Sequence, residues 1–355
     1  MKSPAPSLPS VRPDAVEEIP ILDLEPLRRG EPDAKRRLAA QLAHVFENVG
    51  FYFILNHGIA QSLIEAAFAA AERFHDLPLE RKLELRLNHY NIGYLPMRGG
   101  VTRHSALNET NKPNVNEAFF LARDWPPDHP DAGKPYRCAN QWPRDLPGFR
   151  EACLAYAAAL EQLALRLVPL YALALDLPET HFEEAFANPM FKLRMTHYPP
   201  QAPADDEFGL APHTDTSFMT LLAPNRVPGL SVRLPSGRWI DAPSIEGAFL
   251  VNGGDMLRRW TNDRFLATPH RVINRTGARR YAIPFFFDCS ADHVMTCLPT
   301  CTSPGNPPKY EPITYVDYMT WFRTMNYAGV AAKDAQGTAL AASLRAPAAG
   351  AARQT

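Results

Sequence analysis

From Leu193 to Asp288 the chain breaks into short apolar and β-branched runs separated by turn residues: LRMTHY, SFMTLLA, GLSVRL, RWIDA, AFLVN, HRVIN and RYAIPFFFD. Strands this short and this dense are the signature of a sandwich or barrel. Within the run, His213 and Asp215 are two residues apart. On a strand both side chains point to one face, and Thr214 points away. His270 belongs to a different run. For all three to meet, the sheet must close over the site, as a jelly roll does.

Two imidazoles and one carboxylate are the donor set of a mononuclear non-haem iron(II) centre, which keeps positions open for O2 and a co-substrate. Iron(II) in that set retains a net charge of about +1, so a chelating 2-oxo acid can add a carboxylate and a keto oxygen. A second carboxylate on the same acid would be buried and would need a partner. Arg280 follows His270 by ten residues, and a guanidinium fork matches a carboxylate in two bonds. The turn Arg275-Thr276-Gly277-Ala278 reads as a hairpin that would return Arg280 and Ala282 along His270 on one shared face.

Bulk properties narrow the class further. With 46% apolar residues the 355-residue chain can bury a large core. The formal net charge of −1 supplies no basic excess for a nucleic acid or a membrane surface. Five cysteines, with no apolar stretch of a signal peptide at the start, read as reduced thiols of a cytoplasmic protein. The apolar region around 154–177 is broken by Glu161, Gln162, Arg166 and Pro169, so it reads as a core helix and not a membrane span.

Ahead of the strand-rich part, IPILDL (19–24) and FYFIL (51–55) read as strands, and helices are expected over 33–49, about 60–76, and from Pro78. Residues 88–147 carry many prolines, glycines and asparagines and read as a functional loop. A helix pair is expected at roughly 148–187 and a last helix at about 314–327. The expected organisation is one structural domain of mixed α and β class. It comprises a disordered leader (1–18), an N-terminal helical region (19–187) with a substrate-side loop at 88–147, a jelly-roll region (188–328) and a loose tail (331–355).

Taken in order, IPILDL, GFYFILNHGI, LRMTHYPP, APHTDTSFMTLL, GLSVRLPSGRWIDAP, FLVNGGDMLRRWTNDRFLATPHRVIN and RRYAIPFFFD resemble the isopenicillin N synthase-like group of 2-oxoglutarate- and iron(II)-dependent dioxygenases over about residues 18–328. The resemblance implies a double-stranded β-helix with flanking helices. It implies iron ligation by His213, Asp215 and His270, and a hold on the distal carboxylate of 2-oxoglutarate by Arg280. Tyr198 matches a tyrosine that assists co-substrate binding, and Thr196 stands where relatives often carry asparagine. The family usually has Arg-x-Ser where this chain has Arg280-Tyr281-Ala282. The missing hydroxyl would remove one hydrogen bond, about 1–3 kcal/mol if nothing replaces it.

His57 in the NHGI turn, Asp255 after Gly253-Gly254 and His197 read as structural, with His197 pointing away from the iron. Cys289, Cys297 and Cys301 read as free thiols, because their spacing suits no zinc knuckle. Arg258, Arg259 and Arg279 read as a solvated basic edge. For substrate contacts the candidates are Arg98, Arg103 and His104 in the long loop, which suit a carboxylate. Phe287 is the candidate apolar wall, since Phe285 and Phe287 alternate with Phe286. The expected function is oxidation, chiefly hydroxylation, of a small metabolite, carboxylated ones among the candidates, by a monomer, with release of succinate and CO2. The rivals are a 2-oxoglutarate-independent oxidase that closes rings and a non-catalytic jelly-roll binding protein.

Overall fold

Helical periodicity sets the front of the molecule. In the computed structural model, residues 18–326 are described, apart from 103, 104, 106, 108–111, 201 and 202. The expected leader and tail therefore lie almost wholly outside the described residues. After β1 (Ile21–Asp23) and the single turn α1 (Glu25–Arg28), α2 (Ala34–Asn48) buries Leu38, Leu42, Val45 and Phe46 along one stripe. Gly50, at φ +74°, ends it. A β-carbon there would stand 2.3 Å from Thr268 Oγ1, so the turn requires glycine. β2 (Phe51–Leu55), α3 (Gln61–His75) and α4 (Leu79–Leu83) follow.

Residues 88–147 are less irregular than expected. They contain β3 (Gly93–Leu95) and β4 (Glu117–Ala122), both of which join the main sheet. All six residues of β4 are buried, which erases the polar–apolar alternation that marks a strand in sequence. The expected helix pair is instead one helix, α5 (Phe149–Ala174), followed by turns, with Pro169 inside it. α5 is long and apolar enough to cross a membrane by length and composition, but Leu160, Leu163, Leu167 and Leu170 are buried in the main apolar core with residues of α2 and α3.

The strand-rich half contains β5 (Pro189–Tyr198), β6 (Leu210–His213), β7 (Met219–Leu222), β8 (Leu230–Arg233), β9 (Trp239–Asp241) and β10 (Phe249–Gly253). After α6 (Asp255–Trp260) come β11 (His270–Val272), β12 (Arg280–Ala282) and β13 (Pro284–Ser290). A small pair, β14 (Val294–Met295) and β15 (Ile313–Thr314), leads to α7 (Tyr315–Asn326). The main sheet runs β1-β2-β10-β7-β13-β5-β4-β3, with β12 beside β5, and the smaller sheet runs β6-β11-β8-β9. Phe51, Phe53, Tyr198, Leu230, Val232, Leu250, Val272 and Ala282 form one buried cluster drawn from both sheets. This is the jelly-roll interior. On the opposite side of the main sheet the larger apolar core joins it to the helices.

The expected hairpin at 275–278 is a crossover. β11 pairs with β6 and β8, whereas β12 pairs with β5. Turn chemistry alone does not distinguish a strand that folds back from one that crosses to the facing sheet. The Asn274 side chain fastens the crossover, donating to Ala278 O at 2.8 Å and to Pro199 O at 2.9 Å.

Candidate active site

His213 ends β6 and His270 begins β11, and the two are direct partners in the antiparallel ladder. Their ring centres are 4.3 Å apart. Asp215 lies two residues beyond the end of β6, in the link to β7, and not on the strand as expected. Its Oδ1 is 3.8 Å from His213 Nε2 and 3.6 Å from His270 Nε2. The far ring nitrogens are engaged, with His213 Nδ1 2.8 Å from Ala211 O and His270 Nδ1 3.2 Å from Thr268 O. A carbonyl partner requires a proton on Nδ1, which leaves each Nε2 a lone pair for a metal. The three donor atoms lie within 4.8 Å of one another, so they can hold one ion.

The aspartate is fixed from behind. Thr220 Oγ1 and Asn252 Nδ2 each donate to Asp215 Oδ2 at 2.8 Å, leaving Oδ1 toward the histidines. Burial pushes the Asp215 carboxyl up, yet the imidazoles of His270 and His213 and these two hydrogen bonds outweigh it and hold it below the usual range. The backbone is pinned too. Asp255 N donates to Asp215 O at 2.8 Å and Met256 N to Thr216 O at 3.1 Å. A β-carbon on Gly254 would come 2.4 Å from Ser217 O, so this glycine permits the start of α6 to press on the ligand segment. Asp255 does structural work here, accepting from Thr214 Oγ1 at 3.1 Å and pairing with Arg258 at 3.2 Å.

Arg280, Tyr198, Thr196 and Ala282 line the same pocket as the three donors. Arg280 is 3% exposed. Its Nε donates to Val227 O at 3.1 Å, while Nη1 is buried without a hydrogen-bond partner. Burial lowers the Arg280 pKa, against a smaller opposing effect of Tyr198, as expected of a cation enclosed without an anion. A dicarboxylate co-substrate fits this end of the pocket, because a carboxylate would satisfy Nη1. Ala282 lies opposite Thr196 in the ladder, so a threonine hydroxyl stands across from the position that lacks one.

The substrate-side expectations fare differently. Arg98 is exposed and pairs with Glu207 at 2.7 Å, outside this pocket. Arg103 and His104 lie outside the described residues. Phe287 is fully buried on the helix side, stacked on Phe186 at 5.3 Å, and Phe286 is the aromatic that lines the pocket. Because phenylalanine stands at both parities of this strand, the sequence gives no parity signal. Arg258 is not a solvated edge residue but a half-buried ion-pair partner of Asp255, and Arg279 pairs with Asp76. His57 is bound to Gly247 O and receives Ile59 N, so it shapes its own turn.

Sequence reasoning passed over two features. Arg194 lines the pocket from β5, and its alternation with Thr196 and Tyr198 was the signal available. On the reverse face, His75, Glu117 and His197 also bring donor atoms within 4.8 Å. Glu117 already accepts from His197 Nδ1 at 2.8 Å, Lys82 Nζ at 2.9 Å and the Tyr94 hydroxyl. Those bonds make this group a buried ion network that backs β5.

Two family models match the chain. Residues 19–145 match the N-terminal region of non-haem dioxygenases in morphine synthesis, and residues 188–288 match the 2OG-Fe(II) oxygenase superfamily. The chain is 38% identical over 309 residues to the 2-oxoglutarate-Fe(II) type oxidoreductase hxnY of Emericella nidulans, covering 84% of this chain and 87% of that one. It is 33% identical to kihadalactone A synthase LFS of Citrus sinensis, over 85% of this chain and 92% of that one. Among solved structures it is similar to JOX2 in complex with 2OG, Fe and JA, with TM-score 0.72 and 27% identity, covering 95% of each chain. A Caulobacter crescentus protein of the 2OG-Fe(II) oxygenase family gives TM-score 0.74 and 27% identity, covering 86% of this chain and 97% of that one. With its jelly roll, its His-Asp-His donor set and relatives along nearly its whole described length, the chain belongs to the 2-oxoglutarate- and iron(II)-dependent dioxygenases.

Proposed function

We propose that His213, Asp215 and His270 bind iron(II), that Arg280 with Tyr198 and Thr196 holds 2-oxoglutarate, and that the enzyme hydroxylates a small-molecule metabolite. The balanced reaction takes R–H, 2-oxoglutarate and O2 to R–OH, succinate and CO2. The observation that carries this reading is the pairing, in one pocket, of three converging donors with a buried arginine whose Nη1 has no partner. Iron(II), when bound, supplies the redox chemistry toward O2.

The protein's own residues do the rest. His213 and His270 present Nε2 lone pairs, Asn252 and Thr220 aim Asp215, and Arg280 orients the oxo acid from its far end. Apolar Phe51, Leu230 and Val272 line the pocket and keep water from its wall. Small-molecule substrates are supported by neighbours solved with JA and, for a Neurospora crassa protein, with thymine. Donors and clamp come from residues of this one chain, so the reading needs no second copy, and the enzyme is read as a monomer. Five free cysteines support a reducing, cytoplasmic setting.

The test is stoichiometry. Iron-loaded protein is expected to release one succinate per O2 consumed, with 2-oxoglutarate required. Oxidation of a substrate with no turnover of 2-oxoglutarate would overturn the co-substrate assignment, and failure of the intact protein to bind iron(II) would overturn the whole.

A further inference from the structure

Arg194 stands two residues before Thr196, so alternation puts it on the same face of β5, and it lines the pocket with His213, Asp215 and His270. Its partners are few. Nη2 donates to Asn116 Oδ1 at 3.2 Å, the guanidinium lies 5.3 Å from the centre of the Phe120 ring, and Nε is buried with no hydrogen-bond partner. Arg123, Arg137 and Arg258 each pair with a carboxylate. Arg194 pairs with none among the described residues.

The side chain is nonetheless held in place. Asn116 is 2% exposed, and its Nδ2 donates to Gly209 O at 2.5 Å. That bond turns its carbonyl oxygen toward Arg194. Arg194 is half-buried, with its Nε shut off from water; a polar group so enclosed calls for an acceptor, and here one amide oxygen serves the guanidinium. The remaining donors are free to form a fork toward the pocket.

The co-substrate does not fill this role. Arg280 stands opposite Tyr198, four residues along β5 from Arg194, or roughly 13 Å at about 3.3 Å per residue. An oxo diacid with one carboxylate on Arg280 and the other at the metal has both ends engaged. We propose that Arg194 anchors a carboxylate of the substrate, and that the substrate is therefore a small organic acid whose body lies against Phe286. A single guanidinium matches one carboxylate in charge and in geometry. The inference rests on the 2-oxoglutarate-dependent reading and assigns the substrate side of the same site.

The experiment uses full-length protein loaded with iron(II) and 2-oxoglutarate under anaerobic conditions. It is titrated calorimetrically with benzoate, phenylacetate, cyclohexanecarboxylate and hexanoate, and with the amide of each. The acids are expected to bind at least tenfold tighter than their amides. Arg194→Leu is expected to abolish that preference, and Arg194→Lys to keep part of it. Affinity for 2-oxoglutarate in Arg194→Leu should stay within twofold of the parent. Arg194→Gln replaces the leucine variant if that variant melts early.

Equal binding of acids and amides, no binding by any acid, or a preference that survives in Arg194→Leu would overturn the proposal. A loss of 2-oxoglutarate affinity in Arg194→Leu would also overturn it, because the carboxylate held would then be the co-substrate's. If the parent protein itself binds no 2-oxoglutarate, the co-substrate reading is what fails. The acid-over-amide preference is then read on protein loaded with iron alone.

Discussion

Arg280 stands directly opposite Tyr198 in the ladder between β12 and β5, with its guanidinium carbon 5.0 Å from the centre of the tyrosine ring. The ring fixes the plane of the fork and Val227 O takes Nε, so Nη1 is preset for an incoming oxygen. Arg280→Leu is expected to weaken 2-oxoglutarate about 100-fold or more, in line with roughly 2–5 kcal/mol for losing one partner of a buried charge pair. Arg280→Lys, which keeps the charge without the fork, should lose less. Anaerobic calorimetry on iron-loaded protein measures both, and unchanged affinity in the leucine variant would remove Arg280 from the clamp.

Thr196 and Ala282 face each other in the same ladder. If the threonine hydroxyl supplies the bond that Ala282 cannot, Thr196→Val should weaken 2-oxoglutarate by about 2–10-fold, the worth of one hydrogen bond. Adding Ala282→Ser to that variant should restore it. A serine that restores nothing would show that this face does not touch the co-substrate.

Asn252 and Thr220 hold Asp215 Oδ2 while Oδ1 faces the histidines. Asn252→Leu is expected to lower iron(II) affinity by about 10–100-fold, the usual effect of losing a bond that orients a ligand. Circular dichroism should show the fold unchanged. Titration with a competing chelator reads the affinity, and an unchanged value would mean that Thr220 alone suffices.

Glu117 backs the pocket from the far side of β5. Burial pushes its carboxyl up, but bonds from His197, His75 and Tyr94 prevail and hold it well below the usual range. Removing one member of a buried ion network costs about 3–5 kcal/mol, so Glu117→Gln should melt markedly earlier at neutral pH. A depressed carboxyl stabilises above its unfolded value of 4.5 and loses that contribution as pH falls toward the folded value. The gap between parent and variant should therefore narrow in acid, as urea unfolding at several pH values would reveal.

Asp288 behaves oppositely. Burial pushes its carboxyl up to about 7 from 3.8, against the Phe218 N–H bond and the charge of Lys192. The folded state then holds a proton that the unfolded chain has released, so stability falls as pH rises from about 4 to 7. Asp288→Asn keeps an acceptor for Phe218 and should flatten this slope. With chelator present to hold the metal-free form, the variant is expected to be the more stable of the two at pH 8 and to match the parent near pH 4. Parallel pH profiles would show that Asp288 is charged in the folded protein.

Much of this was legible in the chain. The spacing of Leu38, Leu42, Val45 and Phe46 called for α2, and the short punctuated runs after Leu193 called for two facing sheets. His213, Asp215, His270 and Arg280 stand out because those residue types at strand spacing have one common chemistry. Features buried on both faces were not legible. β4 shows no alternation because every residue is buried, and in β13 phenylalanine stands at both parities, so neither face is marked.

The sequence by itself determined which side chains share a face along each strand: Arg194 with Thr196 and Tyr198, Arg280 with Ala282, Phe285 with Phe287. That parity follows from the two-residue pleat and needs no partner. Only the tertiary structure decided which face looks inward and which strands meet. It set His270 against His213, sent β12 across to β5 instead of back along β11, and turned Phe286 and Arg194 into the pocket while leaving Arg98 on Glu207. Those choices depend on pairing between residues far apart in the chain, and the local pattern of any one strand is compatible with either outcome.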